Sequence, residues 1–140
     1  MEEQQFIHAV AQHLSVDREA AQRIVAAVFH ELHDRITSKE ASDAAAQMPA
    51  GLKRLWTASE FPGREVRRIH KSEFMREVSQ RAEISEIDAP RAVRAVFAVL
   101  QRLLKSPSGQ EGEAWDIYSQ LPKDLKKVWT AAAKEQTRRQ

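Results

Sequence analysis

An all-α bundle, built from two tandem repeats of three to four helices each, is the fold that the sequence predicts. Three observations carry this expectation. Apolar residues recur at the helical period along most of the chain and nowhere alternate at period 2 for long, so no sheet is expected. Only 4 Gly and 5 Pro occur in 140 residues and Ala is abundant, which favours long helices. Finally, "QMPAGLKRLW" from Gln47 to Trp56 returns as "QLPKDLKKVW" from Gln120 to Trp129, the mark of an internal repeat.

The elements follow in order. Phe6, Val10 and Leu14 recur at four-residue spacing, which predicts an amphipathic helix over residues 3–14. Asp17 is a good N-cap for a second helix carrying Ile24, Val25, Val28, Phe29, Leu32 and Ile36. At 100° per residue these six cover an arc of about 140°, the width of a core-facing stripe. Thr37 and Glu40 have the spacing of a capping box for a third helix that ends near Met48. Pro49 suits the first position of a short fourth helix, whose apolar face is Leu52, Leu55 and Trp56. Pro62 and Gly63 punctuate the connector that follows.

The pattern then restarts. At an offset of 68, Phe74 falls on Phe6, Val78 on Val10, Val93 on Val25, Phe97 on Phe29 and Leu100 on Leu32. Beyond "KSPSGQEGE" the offset is 73, and Asp116, Gln120, Pro122, Leu125 and Trp129 fall on Asp43, Gln47, Pro49, Leu52 and Trp56. The five extra residues sit where Pro107, Gly109 and Gly112 mark a loop, and insertion there is cheap. Glu31 is replaced by Val99 and Arg35 by Leu103, so the helix of about 89–105 is apolar over a wider arc and is expected to be the more central one. Pro90 favours its start at Asp88, whereas the alignment favours Ser85. The organisation expected is a first repeat over 1–58, a connector over 59–71 and a second repeat over 72–140, in one compact unit sharing a core.

Phe6, "DREAA" from Asp17 to Ala21 and Gln47 to Trp56, with "EF" at Glu73–Phe74 and Gln120 to Trp129 in the second copy, resemble the bacterial family known as domain of unknown function 2267. The resemblance covers roughly Gln5 to Thr130 and implies a tandem helical-repeat fold. It implies no activity, cofactor or site residue.

Composition narrows the chemistry. Apolar residues at 42% and charged residues at 30% are ordinary for a globular chain. The absence of Cys removes disulfides, thiolate nucleophiles and Cys-ligated metal sites, and agrees with a reducing compartment. The start "MEEQQFIHAV" is unlike a signal peptide, and an apolar run such as "AVFAVL" is far too short to span a bilayer. A cytoplasmic protein with no membrane association is expected. There is no GxSxG elbow, P-loop or GxGxxG, so an enzyme is not expected and neither is a cofactor.

His30 and His33 with Asp34 have the one-turn spacing of metal ligands, but the wheel sets His30 opposite the apolar stripe and His33 at its margin, and a solvated face is preferred. Asp43 with Gln47, and Asp116 with Gln120, are expected to satisfy backbone groups at the helix breaks before Pro49 and Pro122. Trp56 and Trp129 are expected in the core. Trp115 has Ser42 as its counterpart and is the best single residue for a partner contact. Arg64, Arg67, Arg68 and Lys71 in "REVRRIHK", with Lys134, Arg138 and Arg139 in the tail, are the candidates for an anionic partner. Charge is polarised: Met1–Glu40 has seven acidic against four basic residues, and Lys123–Gln140 six basic against two acidic. The function expected is a non-enzymatic protein-interaction or regulatory module, with weak nucleic-acid or polyanion binding through the connector and tail as the alternative.

Overall fold

A computed structural model describes residues 2–60, 63–67, 70–104 and 112–138. It is all-helical: among the described residues there is no strand, and the helices are α1 (Glu3–Leu14), α2 (Arg18–His33), α3 (Ser38–Ala45), α4 (Ala50–Thr57), α5 (Lys71–Ala82), α6 (Ala89–Leu104), α7 (Glu113–Gln120) and α8 (Lys123–Arg138). Residues 105–111 of the loop expected at 105–113, the connector's Pro62 and the basic residues Arg68 and Arg139 lie outside the described residues. No helix among the described residues is long and apolar enough to cross a membrane.

Local chemistry sets most of the boundaries. The Asp17 carboxylate accepts the Ala20 N–H at 2.8 Å and opens α2, and the Thr37 hydroxyl accepts the Glu40 N–H at 3.2 Å and opens α3. Both satisfy donors that a helix start leaves without partners. α1 and α5 end in the same way, on a residue in the left-handed region: Ser15 at φ 55° and Glu83 at φ 60°, sixty-eight positions apart. Neither is Gly, and these two uncommon conformations share the offset at which Phe74 falls on Phe6.

Two expected boundaries move, and the one open between Asp88 and Ser85 falls beside Asp88. α3 stops at Ala45, and residues 46–48 turn. Pro49 is the N-cap of α4, not its first residue, because its ψ of 156° is extended and only Ala50 is helical. α6 begins at Ala89 after a turn in which the Ser85 hydroxyl accepts the Asp88 N–H at 3.2 Å. That leaves Pro90 in the first turn, where its missing N–H has no intrahelical partner to lose.

The long helices α2 and α6 are the centre of the bundle. α2 packs on α5, α1, α6 and α4, while α6 packs on α8, α1, α5, α2 and α7. α1 thus lies across both long helices, and so does α5. The core they enclose carries two aromatic trios. Phe29 meets Phe6 at 5.7 Å and Trp56 at 5.0 Å between ring centroids, and Phe97 meets Phe74 at 6.1 Å and Trp129 at 4.9 Å. All six residues are buried. Such edge-on and tilted contacts add to the stabilisation from burial itself.

Helix starts are also satisfied across the bundle. The Gln120 side chain accepts the Thr37 N–H at 2.8 Å where α7 packs on α3. Asp124 of α8 accepts the Lys71 N–H at 2.9 Å at the start of α5. Gln120 therefore serves the backbone of the opposite half, not the break before Pro122. Asp43 pairs with Lys39 at 3.4 Å, one turn back, not with Gln47.

Candidate interaction groove

α7 and α8 meet through their apolar sides. Ile117 of the first, Leu121 capping its end, and Leu125, Trp129 and Ala132 of the second are buried. Their outer sides diverge into an open groove of about 450 Å³ lined by Tyr118, Lys123, Lys126, Lys127, Thr130 and Lys134, with Ala131 in its wall. The lysines lie on one face of α8 because positions three, four and eleven residues apart return to the same side of a helix. Lys126 holds its ammonium 5.4 Å from the centre of the Tyr118 ring. Trp115, one turn before Tyr118, leans on that ring at 5.2 Å and 38°. It is 45% exposed. Among the described residues, no carboxylate forms an ion pair with any of the four lysines. Trp115 and the tail residue Lys134, picked out separately in the sequence, thus flank one surface.

The connector arginines lie elsewhere and have other occupations. Arg64 has a side chain only 1% exposed; its Nε and Nη2 bond both oxygens of Glu60 at 2.8 and 3.1 Å, and its Nη1 bonds the Ile36 carbonyl at 2.8 Å. It ties the connector to the end of the first long helix and offers no free charge. Arg67 is partly exposed but bonds Asp34 at 3.0 Å and Glu77 at 3.1 Å. Lys71 is exposed.

Between α2 and α5 lies a charged cluster that the sequence reading did not single out. Glu31 is 0% and Arg35 1% exposed. Arg35 bonds the Glu31 carboxylate at 3.0 Å and stands 4.9 Å over the Phe74 ring. Arg81 bonds the other Glu31 oxygen at 2.9 Å. Glu77 lies 3.9 Å from Arg35, beyond hydrogen-bond reach. A signal for this burial exists: Glu31 lies seven residues beyond Ile24, and Arg35 seven beyond Val28, so both extend the core stripe. His30, Glu31 and Asp34 bring potential metal ligands within 4.8 Å of one another. The carboxylates of Glu31, Asp34 and Glu77 are, however, already matched by the guanidiniums of Arg35, Arg67 and Arg81. A divalent ion would add charge that nothing there balances, so the set reads as an ion-pair core.

His33 is not on a solvated margin. It is buried, packs on Trp56 at 4.4 Å between ring centroids, and its Nδ1 lies 3.3 Å from the Phe29 carbonyl.

A family model described as uncharacterized conserved protein (DUF2267) matches residues 3–128. The chain belongs to this family. No curated protein matches it. The matched span of this DUF2267 chain takes in α1 to α7 and the opening of α8, and so includes Trp115, Tyr118 and three of the groove lysines.

Electrostatics within the core make stability depend on pH. Burial holds the His33 imidazole down to about 4, against the pull of Glu60. A base depressed in the folded state contributes fully above its unfolded value of about 6.5, and the contribution is lost as pH falls toward 4. Glu31 acts in the opposite sense over much of the same window. Burial and the neighbouring Glu77 carboxyl push it up to about 7, against Arg35 and Arg81, so its charged form becomes costly as pH rises. His33→Gln, which places the residue of Gln101 at the equivalent position, separates the two. The urea midpoint of the wild type should fall more steeply between about pH 7 and pH 4.5 than that of the variant. Parallel curves would remove His33 as the cause.

Proposed function

We propose that this protein is a non-enzymatic interaction or regulatory module that docks a protein partner on its α7–α8 face. It is built as two repeats, 1–58 and 72–140, joined by the connector 59–71. The observation that carries the reading is the exposed Trp115, stacked on Tyr118 beside lysines that have no carboxylate partner among the described residues. Large aromatic residues at a surface are where binding energy concentrates in protein interfaces. The paired aromatic echo in the sequence and the left-handed caps at Ser15 and Glu83 support the two-repeat reading. The cysteine-free composition supports a cytoplasmic setting. A second reading, weak polyanion or nucleic-acid binding, is favoured only by the lysine row. The connector adds little to it, since Arg64 and Arg67 are engaged internally.

The test is capture from a lysate of the native host, with the full chain immobilised at physiological salt and bound proteins identified by mass spectrometry. The expected result is a partner retained by the wild type, resistant to nuclease, and lost with Trp115→Ala. Capture indifferent to Trp115→Ala would sink the choice of face. Capture abolished by nuclease would put the polyanion reading first.

A further inference from the structure

The groove has two chemistries at once. Its wall is largely apolar, formed by the Tyr118 ring, Ala131 and the methylene stems of the lysines, while its rim is cationic. Trp115 continues the apolar surface outward from Tyr118. Lys123 and Lys134 stand eleven positions apart on one helix, so the rim runs for roughly 16 Å at 1.5 Å per residue. That is the length of three turns of a facing helix. A volume of about 450 Å³ is enough to seat side chains, being within the range of about 300–1,000 Å³ typical of ligand clefts.

We infer that this groove takes an acidic amphipathic segment of a partner protein, with apolar side chains against Tyr118, Ala131 and Trp115 and carboxylates along the lysine rim. The inference rests on the α7–α8 face being the contact face, and adds the chemistry of what binds there. Charge complementarity selects the acidic rim contacts, because Lys123, Lys126, Lys127 and Lys134 have no carboxylate partner among the described residues. The apolar wall selects a segment with something apolar to bury; a uniformly acidic chain would leave Trp115 and Tyr118 wet. The phosphate backbone of a nucleic acid matches the rim but not the wall, and Asp116, exposed on α7 one position after Trp115, opposes a wider anionic footprint.

The experiment is fluorescence anisotropy with the full-length chain and labelled probes at about 50 and about 150 mM salt. The probes are a helical peptide of about three to four turns with Glu on one face and Leu on the other, a polyglutamate peptide of equal length and an oligothymidylate of similar charge. The amphipathic peptide should bind best and should retain binding at the higher salt, with polyglutamate at least about tenfold weaker. Trp115→Ala should weaken the peptide by about tenfold or more, as expected when an interface anchor is truncated. Lys123→Glu with Lys127→Glu should also weaken it by about tenfold or more and remove most of its salt dependence. Both variants should melt like the wild type by circular dichroism, since these side chains are exposed. Three outcomes overturn the inference: tighter binding of the oligothymidylate, peptide binding indifferent to the substitutions, or no peptide binding at about 100 µM. If lysate capture still depends on Trp115 while no acidic peptide binds, the contact face stands and only the partner chemistry falls. Failure of both removes the face as well.

Discussion

Glu31→Val alone should destabilise the protein by about 3–5 kcal/mol, the usual cost of stranding one member of a buried ion pair. The reason lies in what is left behind. Arg35 is 1% exposed, and its closest remaining carboxylate would be Glu77 at 3.9 Å. A guanidinium does not escape by losing its proton at any ordinary pH. Arg35→Leu should be milder, and milder still at low pH. It strands Glu31, which retains Arg81 at 2.9 Å and is already pushed up to about 7, so it can take a proton. The double variant Glu31→Val with Arg35→Leu installs the residues that stand sixty-eight positions further on, Val99 and Leu103. It should come within about 1 kcal/mol of the wild type, because an apolar pair of similar bulk avoids the desolvation of two charges. Glu77 and Arg81 are only partly buried and can turn to water once their partners are gone. Urea denaturation of the four proteins at pH 7 closes the cycle. A double variant less stable than Glu31→Val would mean that the charges stabilise the α2–α5 contact outright.

Trp56→Ala should cost about 3–5 kcal/mol, a large part of a typical stability of roughly 5–15 kcal/mol. Trp56 is fully buried between Phe29 and His33, and its indole N–H bonds the Ala41 carbonyl at 2.8 Å, joining α4 to α3. Trp56→Phe keeps much of the packing and loses that bond, so about 1–2 kcal/mol is expected. Trp129→Ala belongs in the same range as Trp56→Ala, since Trp129 is 4% exposed and packs on Phe97 at 4.9 Å. A loss below about 1 kcal/mol in either alanine variant, measured by urea melts, would contradict its place in the core.

The groove was half legible. Trp115 stood out because Ser42 stands at the position aligned with it seventy-three residues earlier, and the tail stood out by charge. What joined them was Tyr118, which neither repeat pattern nor charge marks. It matters only because α7 folds back beside α8 and sets its ring against Lys126. The connector misled in the other direction. "REVRRIHK" looks like a free basic run, yet Arg64 is enclosed and Arg67 bridges two carboxylates, Asp34 capping the end of α2 and Glu77 of α5. A charge count records how many cations a segment has and not which carboxylates come within 3 Å of them.

The sequence by itself determined the all-α class, the long helices and their core faces, the caps at Asp17 and Thr37, and the burial of both tryptophans of the repeated segments. Each of these depends on interactions within a few residues or on a periodic stripe, and a helix carries that information along its own length. Tertiary structure alone decided that Arg81 of α5 reaches the Glu31 carboxylate, that Gln120 closes the start of α3 and Asp124 the start of α5, and that an aromatic pair and a row of lysines share one groove. Those are contacts between different helices. Which polar group meets which is set by how apolar stripes dock, and a stripe of similar width can dock with many different neighbours at its edges.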